Sequence, residues 1–187
     1  MPGLDIVPIY FGDRDAMLRR LGALLEREFR VDVRYRSPWF DPEGAFDPSR
    51  GQYHSTKLLR MLLDDPQEPA DRTLGVAGVD LFTPVLTYVF GEAQLGGRAA
   101  VVSIHRLRSE LYGLPVDDAL LFDRLHKEAV HELGHTYGLL HCANIACVMR
   151  ASAYVEEIEL KGAGFCDLCR AIVLRSAAAG ASGQPAG

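Results

Sequence analysis

Between His131 and Met149 the chain reads HELGHTYGLLHCANIACVM, placing three histidines, one glutamate and two cysteines within nineteen residues. Imidazole and thiolate at this density point to metal ligation. On an α-helix, His131 and His135 lie about 40° apart around the axis and about 6 Å apart along it, so both rings can face one ion. Neutral imidazole suits zinc, and a reactive zinc site needs three protein ligands with a fourth position open. His141 is the candidate third ligand, but a continued helix would send it about 240° away from His135. The helix must therefore stop between them. Gly138 supplies the stop, because glycine enters the left-handed conformation without a Cβ penalty. Glu132, beside the first ligand, can reach a water on such an ion and is the candidate general base. An ordinary buried helix with satisfied histidines explains neither the glycine nor the third histidine.

A second group follows. Cys142 and Cys147, then Cys166 and Cys169, form two pairs at ligand spacing, and all four cysteines of the chain lie in its last quarter. Four thiolates fill a tetrahedral zinc and leave no open position, so this site is expected to be structural, standing in for a core that a segment poor in large apolar residues cannot supply. The alternatives are disulfides or a redox pair, which a reducing compartment disfavours. The expected complement is two zinc ions per chain. His141 and Cys142 are adjacent, so their side chains must diverge to serve different ions.

These residues need a scaffold. The chain has 187 residues, 48% of them hydrophobic, and a net charge of −5, which fits one globular domain with a real core and no clustered basic surface for nucleic acid. No run of about 18 apolar residues suggests a bilayer span, so no membrane partner is expected. The first residues, MPGLDIVPIYFGDRD, do not read as a secretory signal; a cytoplasmic monomer acting on a peptide or protein substrate is expected. LDIVPIYF reads as a strand, and Met17, Leu18, Leu21, Leu24, Leu25 and Phe29 recur at helical spacing behind Asp13 as N-cap. SPWFDPEGAFDPSRG reads as an exposed loop, and Leu58, Leu59, Leu62 and Leu63 mark a second helix. TLGVAGVDLF and AAVVSIHRL read as buried strands and TYVFGEAQ as an edge strand between them. Helical spacing resumes from Val116 to about Leu140, with one broad apolar face, and CDLCRAIVLRSAAA closes the chain as a short helix. The expected organisation is one unit over 1–187: an N-terminal lobe to about 138, a C-terminal lobe over about 139–176 and a frayed tail over 177–187. His54, His105 and His126 are expected to serve surface or core rather than metal. Tyr112, Tyr137 and Tyr154 are candidate oxyanion donors whose spacing does not choose among them.

The pattern formed by His131, Glu132, His135, Gly138, His141, Cys142, Cys147, Met149, Cys166 and Cys169 resembles that of the archaemetzincins, a branch of the metzincin clan of zinc peptidases. VAGVDLFTPVLTYVFGEAQ, VVSIHRLR and YGLP add to the resemblance, which covers roughly residues 5–175 and is weakest just after the methionine, at Arg150, Ala151 and Ala153. It implies an α+β zincin fold: a twisted, mixed five-stranded sheet with helices packed on it, an active-site helix, and a small irregular C-terminal lobe carrying a structural zinc and a C-terminal helix. It implies three catalytic zinc ligands in His131, His135 and His141, a base in Glu132, a structural zinc on the four cysteines, and an apolar floor at Met149. It also implies that an extended peptide lies along the strand from Tyr88 to Glu92. The expected activity is zinc-dependent peptide hydrolysis. The alternative is a proteolytically quiet zinc-binding scaffold, against which the retained Glu132 argues.

Overall fold

A computed structural model describes residues 1–67 and 69–181. The main sheet has five strands: β1 (Gly3–Ile9), β2 (Asp32–Tyr35), β5 (Arg72–Ala77), β9 (Ala99–Ser103) and β8 (Gly91–Ala93), in the order β2-β1-β5-β9-β8. All neighbours are parallel except β8, which runs antiparallel to β9 at the edge. A second sheet of four short strands, β3 (Phe46–Asp47), β4 (Gln52–His54), β6 (Leu81–Thr83) and β7 (Leu86–Val89), lies beside it. Helix α1 (Asp15–Phe29) joins β1 to its parallel neighbour β2, α2 (Ser55–Leu63) precedes β5, and α3 (Asp118–Thr136) follows β9. Two more helices follow among the described residues, α4 (Val155–Leu160) and α5 (Asp167–Ala181).

The expected mixed sheet with helices packed on it is present, and its central strands are mostly apolar because both of their faces are covered, with the buried Asp5 of β1 a charged exception. In β1, Leu4 and Ile6 enter the core shared with α1 and α3, while Val7 and Ile9 enter the opposite core shared with α2. Ala100 and Val102 of β9 divide from Ala99 and Val101 in the same way. The larger core continues without a break through Cys147, Val148, Met149, Val155 and Ile158 to Val173 of α5, so the segment carrying the cysteines packs on α3.

Four local readings change. The cap of α1 is Arg14, not Asp13, and it makes no side-chain capping bond. The proline-rich stretch after β2 is not simply exposed: Pro42–Ala45 forms a 3-10 turn in which Asp41 Oδ1 accepts from Glu43 N at 3.0 Å, with Pro42 and Ala45 buried. The stretch TYVFGEAQ is not one strand. It crosses from the small sheet to the main one at Phe90, ending β7 and starting β8. Helix α5 runs through residue 181 rather than fraying from 177, and the rest of that tail lies outside the described residues.

One buried ion network braces the sheet. Asp5 in β1 is fully buried and receives Arg34 at 2.7 Å and Arg36 at 2.9 Å; Arg36 also pairs with Asp65 at 2.5 Å. Burial alone would raise the Asp5 carboxyl, but hydrogen bonds from Arg34, Arg36 and the Ala70 N–H outweigh it and hold the group below its usual range. A depressed carboxyl contributes stability that is present above the ordinary value of about 3.9 and lost as pH falls through its folded value. Asp5→Asn is expected to cost about 3 kcal/mol at pH 7, because it leaves two guanidinium groups facing a neutral amide. Urea unfolding at pH 7 and pH 3 measures this; an equal deficit at both pH values would show that lost charge is not the cause.

Candidate functional site

Helix α3 starts where Asp117 accepts from Leu120 N at 2.9 Å, and its C-terminal half is buried on nearly every side rather than along one face. Three of its buried charges have ion partners: Arg124 with Glu159, Lys127 with Asp123, and Glu128 with Lys161. The helix ends as glycine requires: Gly138 has φ +87°, its N–H bonds His135 O at 2.9 Å, and Leu139 N bonds Gly134 O at 3.2 Å. That pair of bonds is a Schellman stop. The reversal returns His141 to the two helical histidines.

The three rings meet. Centroids lie 4.7 Å apart for His131 and His135, 5.3 Å for His131 and His141, and 5.1 Å for His135 and His141. One ligand nitrogen from each lies within 4.8 Å of the others. His131 Nδ1 donates to Val148 O at 2.9 Å and His135 Nδ1 to Leu139 O at 2.7 Å, which leaves each Nε2 lone pair free. These two Nε2 atoms stand 3.2 Å apart. Tetrahedral zinc with bonds of about 2.0–2.1 Å sets its nitrogens about 3.3 Å apart, so the spacing fits the ion. Burial is the main cause that lowers His131 to about 3, and it lowers His135 as well. Both rings are therefore neutral at pH 7, as ligation requires.

Met149 is fully buried and packs against Gly134 of the helix that carries His131 and His135. Glu132 is buried in the adjoining cleft. Burial first, then Glu128 and Glu92, push its carboxyl well above the usual range against the pull of Lys161. The cleft, about 490 Å³, is walled by Leu86–Gly91 on one side and by Ala151–Tyr154 on the other, with Glu128, His131, Glu132 and His141 between. Tyr88 Oη spans it and donates to Ala153 O at 3.0 Å.

The second group also assembles. The ligand sulfurs of Cys142, Cys147, Cys166 and Cys169 lie within 4.8 Å of one another, none in a disulfide. Cys142 Sγ and Cys166 Sγ are 3.9 Å apart, close to the roughly 3.8 Å that zinc–sulfur bonds of about 2.3 Å demand in a tetrahedron. The backbone hydrogen bond from Cys169 is the leading cause that lowers the Cys166 thiol to about 7, towards the thiolate a metal needs. The two groups share backbone: Val148, whose carbonyl orients His131, follows Cys147, and Cys142 N bonds Met149 O at 2.9 Å.

Other residues fall outside. His126 stacks over Phe122 at 6.4 Å and His105 contacts Arg108 at 3.0 Å, neither in the metal groups; His54, expected at the surface, is half-buried at the start of α2. Tyr137 packs in the core against Phe29 at 5.1 Å, and Tyr112 bonds Arg106 O, leaving Tyr154 as the one of the three tyrosines that lines the cleft. The sequence reading missed Glu128 and Lys161. Glu128 sits one helical turn before Glu132, and an acidic residue at that spacing was the available signal.

Comparison with known proteins agrees with this geometry. The model of peptidase family M54 matches residues 41–175. The archaemetzincin of Haloquadratum walsbyi is 37% identical over 174 residues, 91% of this chain and 98% of that protein. That of Archaeoglobus fulgidus is 45% identical over 125 residues, 67% of this chain and 71% of that protein. Among solved structures, the archaemetzincin of Methanopyrus kandleri superposes with a TM-score of 0.83 at 34% identity, covering 94% of both chains. A zinc-dependent peptidase from Methanocorpusculum labreanum gives 0.78 at 30% identity, covering 91% of this chain and 100% of that one. Matched in sequence along nearly all of its length and in fold along nearly all of its structure, the chain belongs to peptidase family M54, the archaemetzincins, a family of zinc metallopeptidases.

Proposed function

We propose that this chain hydrolyses peptide bonds with a zinc ion held by His131, His135 and His141 and with Glu132 as general base, while Cys142, Cys147, Cys166 and Cys169 hold a second, structural zinc. The observation that carries the reading is the convergence of two Nε2 lone pairs 3.2 Å apart, each ring tied through Nδ1 to a backbone carbonyl, beside a buried carboxylate in an open cleft. Zinc, when bound, supplies Lewis acidity, lowering the pKa of a coordinated water and polarising a carbonyl. The rest is protein chemistry. Glu132 takes the proton of the attacking water on a carboxylate oxygen and returns it to the leaving amine nitrogen. Strand β8, at the edge of the main sheet, offers backbone groups to an extended peptide and so aligns the scissile bond. Val148 O and Leu139 O hold the ligand rings, and the buried Met149 packs against the helix that carries both.

A screen of unstructured peptides tests the reading, with and without chelator and with zinc restored. Cleavage that is abolished by the chelator and recovered with zinc supports it; no metal-dependent cleavage in any peptide would favour a scaffold.

Placement of the base gives a second test. A Cβ on Gly91 of β8 would come within 2.6 Å of Glu132 Cγ and 2.6 Å of Val101 O. Gly91→Ala is therefore expected to displace the Glu132 carboxylate and lower kcat by about 10- to 100-fold with little change in KM, since misplacement of a reacting group by about 1 Å has effects of that size. An unchanged kcat in a folded, zinc-loaded variant would show that the strand does not position the base.

A further inference from the structure

Glu128 lines the cleft yet has no part in the reaction proposed above. Its side chain is 4% exposed and its Oε1 lies 2.8 Å from Lys161 Nζ. Lys161 is fully enclosed and also donates to Arg150 O at 3.2 Å, so the pair is electrically balanced and rigidly held. Lys161 is the single partner of Glu128 among the described residues. A carboxylate offers about four acceptor positions, and one cation does not use them. On the facing wall, the Ser152 hydroxyl oxygen is buried and likewise has no hydrogen-bond partner. Besides the candidate zinc ligands and Glu132, the cleft that these two groups line carries the apolar or aromatic side chains of Tyr88, Phe90, Ala151 and Ala153.

Buried polar groups whose hydrogen-bonding capacity is not filled are costly unless a ligand satisfies them. An acceptor on one wall and a hydroxyl on the other call for a group that both donates and accepts. A carboxamide does so, with its NH2 towards Glu128 and its C=O towards the Ser152 hydroxyl. A second cation would meet Lys161, whose charge already balances Glu128; a carboxylate would meet Glu128 itself. An aliphatic side chain would leave both groups unsatisfied.

We infer that the cleft selects peptides bearing a carboxamide side chain, Gln or Asn, beside the scissile bond, with Glu128 and Ser152 as the residues that read it. This rests on the reading of the cleft as a peptide site, and the test must separate the two. Binding does so independently of turnover. Dissociation constants for the zinc-loaded protein would be measured with peptide hydroxamates that carry Gln, Leu, Arg or Glu on either side of the metal-binding group. On one side Gln is expected to bind at least roughly tenfold more tightly than Leu, with Arg and Glu weaker than Gln, as for a site built to hydrogen-bond its ligand. Ser152→Ala should erase most of that preference, and so should the charge-neutral double change Glu128→Leu with Lys161→Met. Leu binding as tightly as Gln on both sides overturns the inference. So does a Gln preference that survives both variants, because the amide would then be read elsewhere. Gln-selective binding without cleavage of any Gln- or Asn-containing peptide would sustain the inference and remove the peptidase reading.

Discussion

Glu132→Gln is expected to lower kcat for peptide cleavage by about a thousandfold while leaving the zinc content at its wild-type value, since general base catalysis contributes about 10²–10⁴ and the amide is not among the ligands. The residue is buried, and it packs against Gly91 of β8. The fold provides its own control. Burial, reinforced by Glu128 and Glu92, raises this carboxyl well above the usual range, so its charged form is disfavoured in the metal-free folded protein. A carboxyl with a raised folded value loses stability as pH rises through that value, the opposite sign to Asp5. Metal-free Glu132→Gln should therefore melt at or above the wild-type temperature at neutral pH. Three readouts decide the matter: single-turnover cleavage, zinc by elemental analysis, and thermal unfolding with metal removed. Near wild-type turnover with zinc retained would take the role of base away from Glu132. Loss of zinc together with activity would leave the role unassigned to chemistry and place it in metal retention instead.

That so much of this site could be read from the residues follows from how local it is. The ligand spacing of His131 and His135 is helix geometry, and the return of His141 needs only the Schellman stop that Gly138 supplies. The thiolates come in pairs separated by four and by two intervening residues, so each pair was visible alone, and only their meeting depended on the fold. The main strands were legible because β1, β5 and β9 send apolar residues into a core on each face. What escaped was non-local. β3 and β4 have two and three residues, too short for any periodicity to register. The crossing at Phe90 is set by which neighbours β7 and β8 find, not by the alternation that runs through both. Pro42 and Ala45 read as loop residues because composition does not reveal that α2 packs over them, as it does through Met61, whose carbonyl accepts from Trp39 Nε1 at 3.1 Å. Nothing in the sequence marks Glu128 as buried. Its burial is permitted by Lys161, which arrives from beyond α4 and has no sequence signature linking it to α3.

Cys166→Ser is expected to remove the structural zinc and, with it, the catalytic one. The coupling is covalent and short. Cys142 directly follows His141, and Cys147 directly precedes Val148, whose carbonyl holds His131 Nδ1 at 2.9 Å. Between those points Cys142 N bonds Met149 O, and Val148 N bonds Gly164 O at 2.9 Å, so the segments bearing all four sulfurs are laced to one another and to the backbone that holds His131. Cys166 is half-buried and its N–H lies 3.4 Å from Cys147 Sγ, so exchange of sulfur for oxygen leaves little cavity and the loss is chiefly that of a ligand. Metal that binds only the folded state contributes its binding free energy to stability. Removal of a structural metal belongs with the largest single-residue effects, about 4 kcal/mol or more. If the wild type holds the two ions proposed above, zinc should fall towards none, because the histidine site shares its backbone with the cysteine site. If the variant does not accumulate as folded protein, graded chelation of the wild type reads the same coupling: loss of the thiolate-bound ion, followed by thiol reactivity, should coincide with loss of peptide cleavage. A variant or a chelated protein that keeps its stability and one catalytically competent zinc after the four-thiolate ion has gone would show that the two sites are energetically separate, and that the shared backbone between Cys142 and Met149 carries no free energy from one to the other.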